Sequence, residues 1–129
     1  MILVDTSVWI EVFRRTRPLE LESVVAFDDI VTCLPVVQEV LQGFREERAF
    51  RVARESMKSF PIIESPLAIE VVEDAVGLYR RARHSGITIR SSVDCLIAAC
   101  ALRHDVEVLH RDRDFEELAK ISPLRVRSV

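Results

Sequence analysis

The sequence predicts an α/β fold of three layers, with helices on both faces of a mostly parallel central sheet. Three observations carry that expectation. Short apolar runs stand at residues 2–4, 30–34 and 106–109. Each is followed by a stretch whose apolar residues recur at helical spacing. Strands alternating with helices in this way build a parallel sheet through crossover connections. No linker, repeat or low-complexity run interrupts the pattern, so residues 1–129 read as a single domain.

The elements follow in order. Ile2, Leu3 and Val4 are apolar at consecutive positions, the mark of a strand buried on both faces. Thr6 or Ser7 is expected to cap the next helix, with Val8, Trp9, Val12 and Phe13 along it. Trp9 and Phe13 share a face and are expected in the core. Residues 14–18 read as the helix end and a loop. The run 30–34 stops at Pro35, which suits the first turn of a helix. Val36, Val37, Val40, Leu41 and Phe44 then form one stripe. Residues 46–59 are expected to continue as helix, with Arg48, Arg51 and Arg54 near one side. Residues 61–63 make a weak strand. A long helix spans 67–84, with Ile69, Val72, Ala75, Val76, Tyr79 and Ala82 apolar, and Gly86 closes it. Ser91 or Ser92 caps the following helix, in which Val93, Leu96, Ile97, Cys100 and Ala101 are apolar. A strand at 106–109, a short helix at 115–121 and a weak strand at 124–126 complete the chain.

Composition narrows the function. Apolar residues make up 49% and charged residues 30% of 129 positions, enough to bury a core and too apolar for a disordered chain. The net charge of −3 leans against a nucleic-acid partner. The 18 basic residues include only two lysines, Lys58 and Lys120; the rest are arginine, the better bidentate phosphate ligand. No apolar stretch has the length of a membrane span. The start lacks the basic segment of a signal peptide and reaches Asp5 early. Cys33, Cys95 and Cys100 form no CxxC pair and read as reduced core residues, which places the chain in the cytoplasm.

The acidic residues carry the chemistry. In open α/β sheets the site lies beyond the carboxyl ends of the strands. The first strand ends in Asp5, the second leads into a helix carrying Glu39, and Asp94 opens another helix. The strand at 106–109 runs into His110-Arg111-Asp112-Arg113-Asp114. A lone Asp after a strand is ordinarily a helix cap or a solvated charge. Asp5 and Asp94, however, sit in the apolar contexts ILVD and SVDCLIAA, where an unpaired charge is costly. Such a cluster stays ionised only if something cancels its repulsion. Mg²⁺ or Mn²⁺, hard cations that prefer oxygen ligands, would do so. Acids around such an ion suit phosphodiester hydrolysis.

Four segments in order, VDTSVWIE, PVVQEVLQGF, SSVDCLIAACAL and HRDRDFEELAK, resemble PIN-domain proteins, most closely the VapC toxins of type II toxin–antitoxin modules. The resemblance spans essentially the whole chain. It implies a PIN-like fold and a Mg²⁺-dependent endoribonuclease, with Mn²⁺ as an alternative, acting on tRNA or rRNA. It also implies a homodimer and inhibition by a VapB-type antitoxin. Carried onto this chain, the resemblance makes Asp5, Glu39, Asp94 and Asp112 catalytic. The metal ligands are then Asp5, Asp94, Asp112 and Asp114. Thr6 and Ser7 would orient Asp5 or contact the metal's water. His110 stands where many members carry a small hydroxyl residue; a packing or solvent role is expected for it.

Arg90, Arg14 and Arg15 are the expected contacts to RNA phosphates or antitoxin carboxylates, Arg90 foremost because it precedes Asp94 closely. Arg80, Arg81 and Arg83 form a further basic group. The rival readings are a PIN scaffold that binds without cutting and a Mg²⁺-dependent phosphoacceptor. A phosphoacceptor wants paired acids after the first strand, and here Asp5 is followed by Thr6 and Ser7. With the five site acids left out, the remainder of the −3 total becomes +2, which is compatible with RNA.

Overall fold

The computed structural model describes residues 1–129. Its sheet has five strands, all parallel, in the order β3-β2-β1-β4-β5. They are β1 (Ile2–Val4), β2 (Ile30–Cys33), β3 (Ile62–Ile63), β4 (Glu107–His110) and β5 (Val126–Ser128). Leu3, Val4, Val31, Val108 and Leu109 are fully buried. Neighbouring residues of a strand point to opposite faces, so burial at consecutive positions shows that both faces are covered. Burying each such side chain contributes about 1.5–3 kcal/mol.

The helices are α1 (Thr6–Val12), α2 (Leu34–Gln42), α3 (Glu47–Lys58), α4 (Ile69–His84), α5 (Ser92–Arg103) and α6 (Arg113–Lys120). α1 packs on α2 and α2 on α3, while α4 lies along α5 with α6 beside both. They complete the three-layer α/β/α arrangement by burying Val8 and Trp9, Val36 and Val40, Val71 and Leu78, Ile97 and Ala98, and Phe115 and Leu118. Trp9 stacks on Phe13 at 5.9 Å and leans on Phe60 at 5.4 Å; Trp9 is in the core, and Phe13 is half-buried against it. No helix is long and apolar enough to cross a membrane.

The strand order places the site. From β1 the chain builds outward through β2 and β3, then returns to the other side of β1 to add β4 and β5. The order therefore reverses between β1 and β4, and a crevice opens there at the carboxyl edge. Val4 pairs with Leu109, and the Asp5 N–H donates to the Leu109 carbonyl at 2.9 Å. Asp5 and the His110–Asp114 segment thus emerge side by side.

Three local expectations need correction. The helix expected to run on through residues 46–59 is a separate element. α2 ends at Gly43, whose low helix propensity permits the break, and Glu46 is extended at φ −83°, ψ 129° before α3 starts. The cap of α1 is Asp5, not Thr6 or Ser7: its carboxylate accepts the Ser7 N–H. α6 starts at Arg113, before the expected 115, because Asp112 caps it by accepting the Asp114 N–H. Two 3-10 turns, Leu21–Ser23 and Phe27–Asp29, lie in a stretch the sequence left unassigned.

Candidate metal centre

Asp5 is 2% exposed at the end of β1. Its Oδ2 accepts the Ser7 N–H at 2.9 Å and the Ser7 hydroxyl at 2.5 Å. Ser7 Oγ in turn accepts the Arg111 N–H at 2.9 Å, which ties the start of α1 to the segment after β4. Thr6 Oγ1 donates to Glu39 Oε1 at 2.8 Å. The two hydroxyl residues therefore each hold one acid, Ser7 on Asp5 and Thr6 on Glu39.

The other side of the crevice is built by three aspartates. Asp94 lies buried in the first turn of α5. Asp114 is 1% exposed, and its Oδ2 accepts the Arg90 N–H at 3.0 Å and the Ser91 N–H at 3.1 Å. Ser91 itself makes no side-chain cap, so the carboxylate of Asp114 serves the start of α5 in its place. Asp112 Oδ1 accepts the Asp114 N–H at 2.9 Å. One oxygen from each of Asp94, Asp112 and Asp114 lies within 4.8 Å of the others. Asp5 stands outside that trio, yet its charge acts on Asp94, and Glu39 acts on Asp5.

The electrostatics are those of crowded, buried acids. Burial pushes Asp94 up to about 9, helped by its hydrogen bond with Asp114 and the charges of Asp5, Asp112 and Asp114. Burial also raises Asp5, outweighing the hydrogen bonds from Ser7. Burial acts to raise Asp114 as well. There the bond with Asp94, the Arg90 and Ser91 amides and the Arg90 guanidinium prevail and hold it below the usual range. The two carboxyls act on each other in opposite directions, the contact raising Asp94 and lowering Asp114.

Three carboxylate oxygens test whether a metal fits. Asp5 Oδ1, Asp94 Oδ2 and Asp114 Oδ1 are buried and receive no hydrogen bond. Buried acceptors left unpaired cost about 1–3 kcal/mol each, more when charged. A dication among Asp94, Asp112 and Asp114 would satisfy the Asp94 and Asp114 oxygens, and an all-oxygen set with neither His nor Cys favours Mg²⁺ or Mn²⁺ over Zn²⁺. The residues present fit such an ion.

Of the arginines, one reaches the centre. Arg90 is exposed, and its Nη2 pairs with Asp112 Oδ1 at 3.2 Å and its Nε with Asp114 Oδ1 at 3.6 Å. Arg14 pairs with Glu11 at 2.7 Å and Arg15 with Glu46 at 3.0 Å, both away from the aspartates. His110 was expected to pack or face solvent. It is buried at 1% exposure and hydrogen-bonded at both ring nitrogens, to the Asp112 N–H and to Glu116. The signal available in the sequence was an acceptor two residues before the capping Asp112.

A parallel sheet with carboxylates at its switch point is the architecture of the PIN domain, and the PIN-domain family model matches residues 2–121. The VapC ribonuclease Mb1587 of Mycobacterium bovis is 37% identical, over 99% of this chain and 98% of its own length. Ribonuclease VapC11 of Mycobacterium tuberculosis matches to the same extent, 37% over 99% and 98%. The chain belongs to the PIN-domain family and, within it, to the VapC group. Its fold is similar to that of VapBC-5, a toxin–antitoxin family member from Mycobacterium tuberculosis, with TM-score 0.74, 21% identity and coverage of 98% and 97%. VapC20 of the same organism, a toxin that cleaves the sarcin–ricin loop, gives TM-score 0.72, 18% identity and coverage of 97% and 99%.

Proposed function

We propose that this protein is the toxin of a VapBC-type pair: an endoribonuclease that needs a divalent cation, cleaves tRNA or rRNA, and is inhibited by a VapB-type antitoxin. The observation that carries the reading is the trio Asp94, Asp112 and Asp114 within 4.8 Å, with buried oxygens on Asp94 and Asp114 and on neighbouring Asp5 that receive no hydrogen bond. Relatives 37% identical along nearly the whole chain are ribonucleases by name, which supports the same activity here.

Asp94, Asp112 and Asp114, with Asp5 beside them, would hold the ion. When bound, Mg²⁺ or Mn²⁺ supplies positive charge that acidifies water and offsets charge on the reacting phosphate. Asp94, raised by burial, would have to be ionised to serve as a ligand. Glu39, fixed at Oε1 by Thr6, keeps Oε2 free to take a proton from the attacking water. Ser7 occupies Asp5 Oδ2, which leaves Oδ1 buried without a hydrogen bond. Arg90, already at the rim, is placed to meet a phosphate once the acids are neutralised. In-line attack by water leaves a 5′ phosphate and a 3′ hydroxyl.

We also propose that residues 1–129 act as one domain and that two copies associate. Ile69, Val72 and Val76 are exposed on one side of α4, an apolar strip that a second copy would cover. Three free buried cysteines suit the reducing cytoplasm.

The test is RNA cleavage by purified protein with Mg²⁺, with EDTA, and after Asp5→Asn or Asp94→Asn. Cleavage with Mg²⁺ that is lost in the other three conditions is expected. Unchanged cleavage in either variant overturns the site. Binding without cleavage by the wild type selects the non-catalytic scaffold instead.

A further inference from the structure

The acidic trio depends on a turn of two residues. Asp112 and Asp114 stand on either side of the start of α6, directly after β4. The His110 ring fixes the first step. Its Nδ1 lies 3.2 Å from the Asp112 N, whose hydrogen is donated, so Nδ1 carries no proton. The proton is then on Nε2, which donates to Glu116 Oε1 at 3.1 Å. A side-chain acceptor taking the N–H two residues ahead is the bond of an Asx or Ser/Thr turn, here made by an imidazole.

Asp112 repeats the step, since its Oδ1 accepts the N–H of Asp114. Asp114 Oδ2 then accepts the Arg90 and Ser91 amides. The relay runs 110 to 112 to 114 and ends at the start of α5, which carries Asp94. Its first member is held by packing as well. His110 is buried, and its ring centroid lies 5.5 Å from that of fully buried Phe115. A histidine serving only to fill space would need neither hydrogen bond.

We propose that His110 is a positioning residue: its Nδ1 sets the turn that presents Asp112 and Asp114 as a pair to a divalent cation. The proposal rests on the reading of these acids as cation ligands. Residues behind the ligands commonly change metal affinity about 10–100-fold when removed.

The test compares side chains that differ in one acceptor. His110→Ser and His110→Ala open nearly the same cavity, but only serine can accept the Asp112 N–H. His110→Asn and His110→Leu repeat the comparison at larger volume, should the smaller pair fold poorly. Mn²⁺ affinity is measured by calorimetry, and exchange of the Asp112 amide by NMR without metal. The serine and asparagine variants are expected to stay within about threefold of wild-type affinity and to protect that amide. The alanine and leucine variants are expected to bind about tenfold more weakly and to lose the protection. Equal affinity and equal exchange within each pair overturn the proposal. Absence of Mn²⁺ uptake by the wild type, with the amide difference intact, overturns the cation reading and leaves the turn standing.

Discussion

Arg90 Nη2 stands 3.2 Å from Asp112 Oδ1, so the one cation at the acidic trio belongs to the chain itself. That guanidinium and a divalent ion address the same carboxylates. The side chain is 60% exposed, which keeps its own contribution to stability small, below about 1 kcal/mol. Arg90→Ala is therefore expected to leave the fold intact and to raise Mn²⁺ affinity up to about fivefold. RNA binding is expected to weaken in the same variant if Arg90 meets a phosphate as proposed. Calorimetric titration with Mn²⁺ and an RNA-binding assay at one fixed salt concentration separate the two effects. A fall in Mn²⁺ affinity contradicts the competition.

Asp94 makes the metal-free protein sensitive to pH. Its folded pKa is raised, to about 9 from 3.8, so the folded state keeps a proton that the unfolded chain releases. That stabilisation is complete below pH 3.8 and is lost as pH rises through about 9. Asp5, also raised, acts in the same direction. Asp114 is lowered, so its contribution is present above 3.8 and is lost only at more acid pH. In EDTA, stability between pH 5 and 8 is expected to fall with pH by up to about 1.4 kcal/mol per unit. Urea unfolding at several pH values measures this. Asp94→Asn should flatten the slope. Mn²⁺ affinity should rise with pH over the same range, since the ion displaces the proton.

The two outer aspartates differ in what else they do. Asp114 Oδ2 holds the Arg90 and Ser91 amides at the start of α5, while Asp112 is half-buried and caps α6. Asp114→Ala strips two amides of a charged acceptor and is expected to cost about 2 kcal/mol even in EDTA. Asp112→Asn keeps an oxygen for the Asp114 N–H and should cost under about 1 kcal/mol. Both variants should bind Mn²⁺ poorly. Chemical denaturation in EDTA, set beside Mn²⁺ titration, checks the contrast. Equal stability of the two variants removes the structural role assigned to Asp114.

The sequence made most of this legible where one residue type answers one physical demand. Ile2, Leu3 and Val4 are apolar at every position, and the strand they form is buried on both faces. Asp5 and Asp94 are charges in apolar company, and both are buried at the switch point. What stayed hidden needed three dimensions. The sequence puts Arg90 ahead of Arg14 and Arg15 because it precedes Asp94 closely. It does not show that Arg14 pairs with Glu11 and Arg15 with Glu46, the latter 31 positions along the chain. The break at Gly43 was masked because Phe44 continues the apolar stripe, although α3 starts only at Glu47. His110 is packed as expected, buried against Phe115, but no periodicity marks the bond it also accepts from the Asp112 N–H.

Thr6 supplies the last prediction. Its hydroxyl donates to Glu39 Oε1 at 2.8 Å across 33 residues of chain, joining α1 to α2. Glu39 stands outside the trio, so in the proposed mechanism this bond bears on the proton acceptor rather than on the ion. Thr6→Val keeps the shape and removes the donor. Stability should change by no more than about 1 kcal/mol, the worth of one part-buried hydrogen bond. Mn²⁺ affinity should stay within twofold. The cleavage rate at saturating RNA should fall about tenfold, a fraction of the 10²–10⁴ that a well-placed general base contributes. Thr6→Ser keeps the hydroxyl and should restore the rate. Single-turnover cleavage of a defined RNA, run beside Mn²⁺ titration, tells the outcomes apart. A valine variant that loses Mn²⁺ instead of rate would make Glu39 a ligand. One that loses neither would leave the Thr6 bond as a strut between α1 and α2.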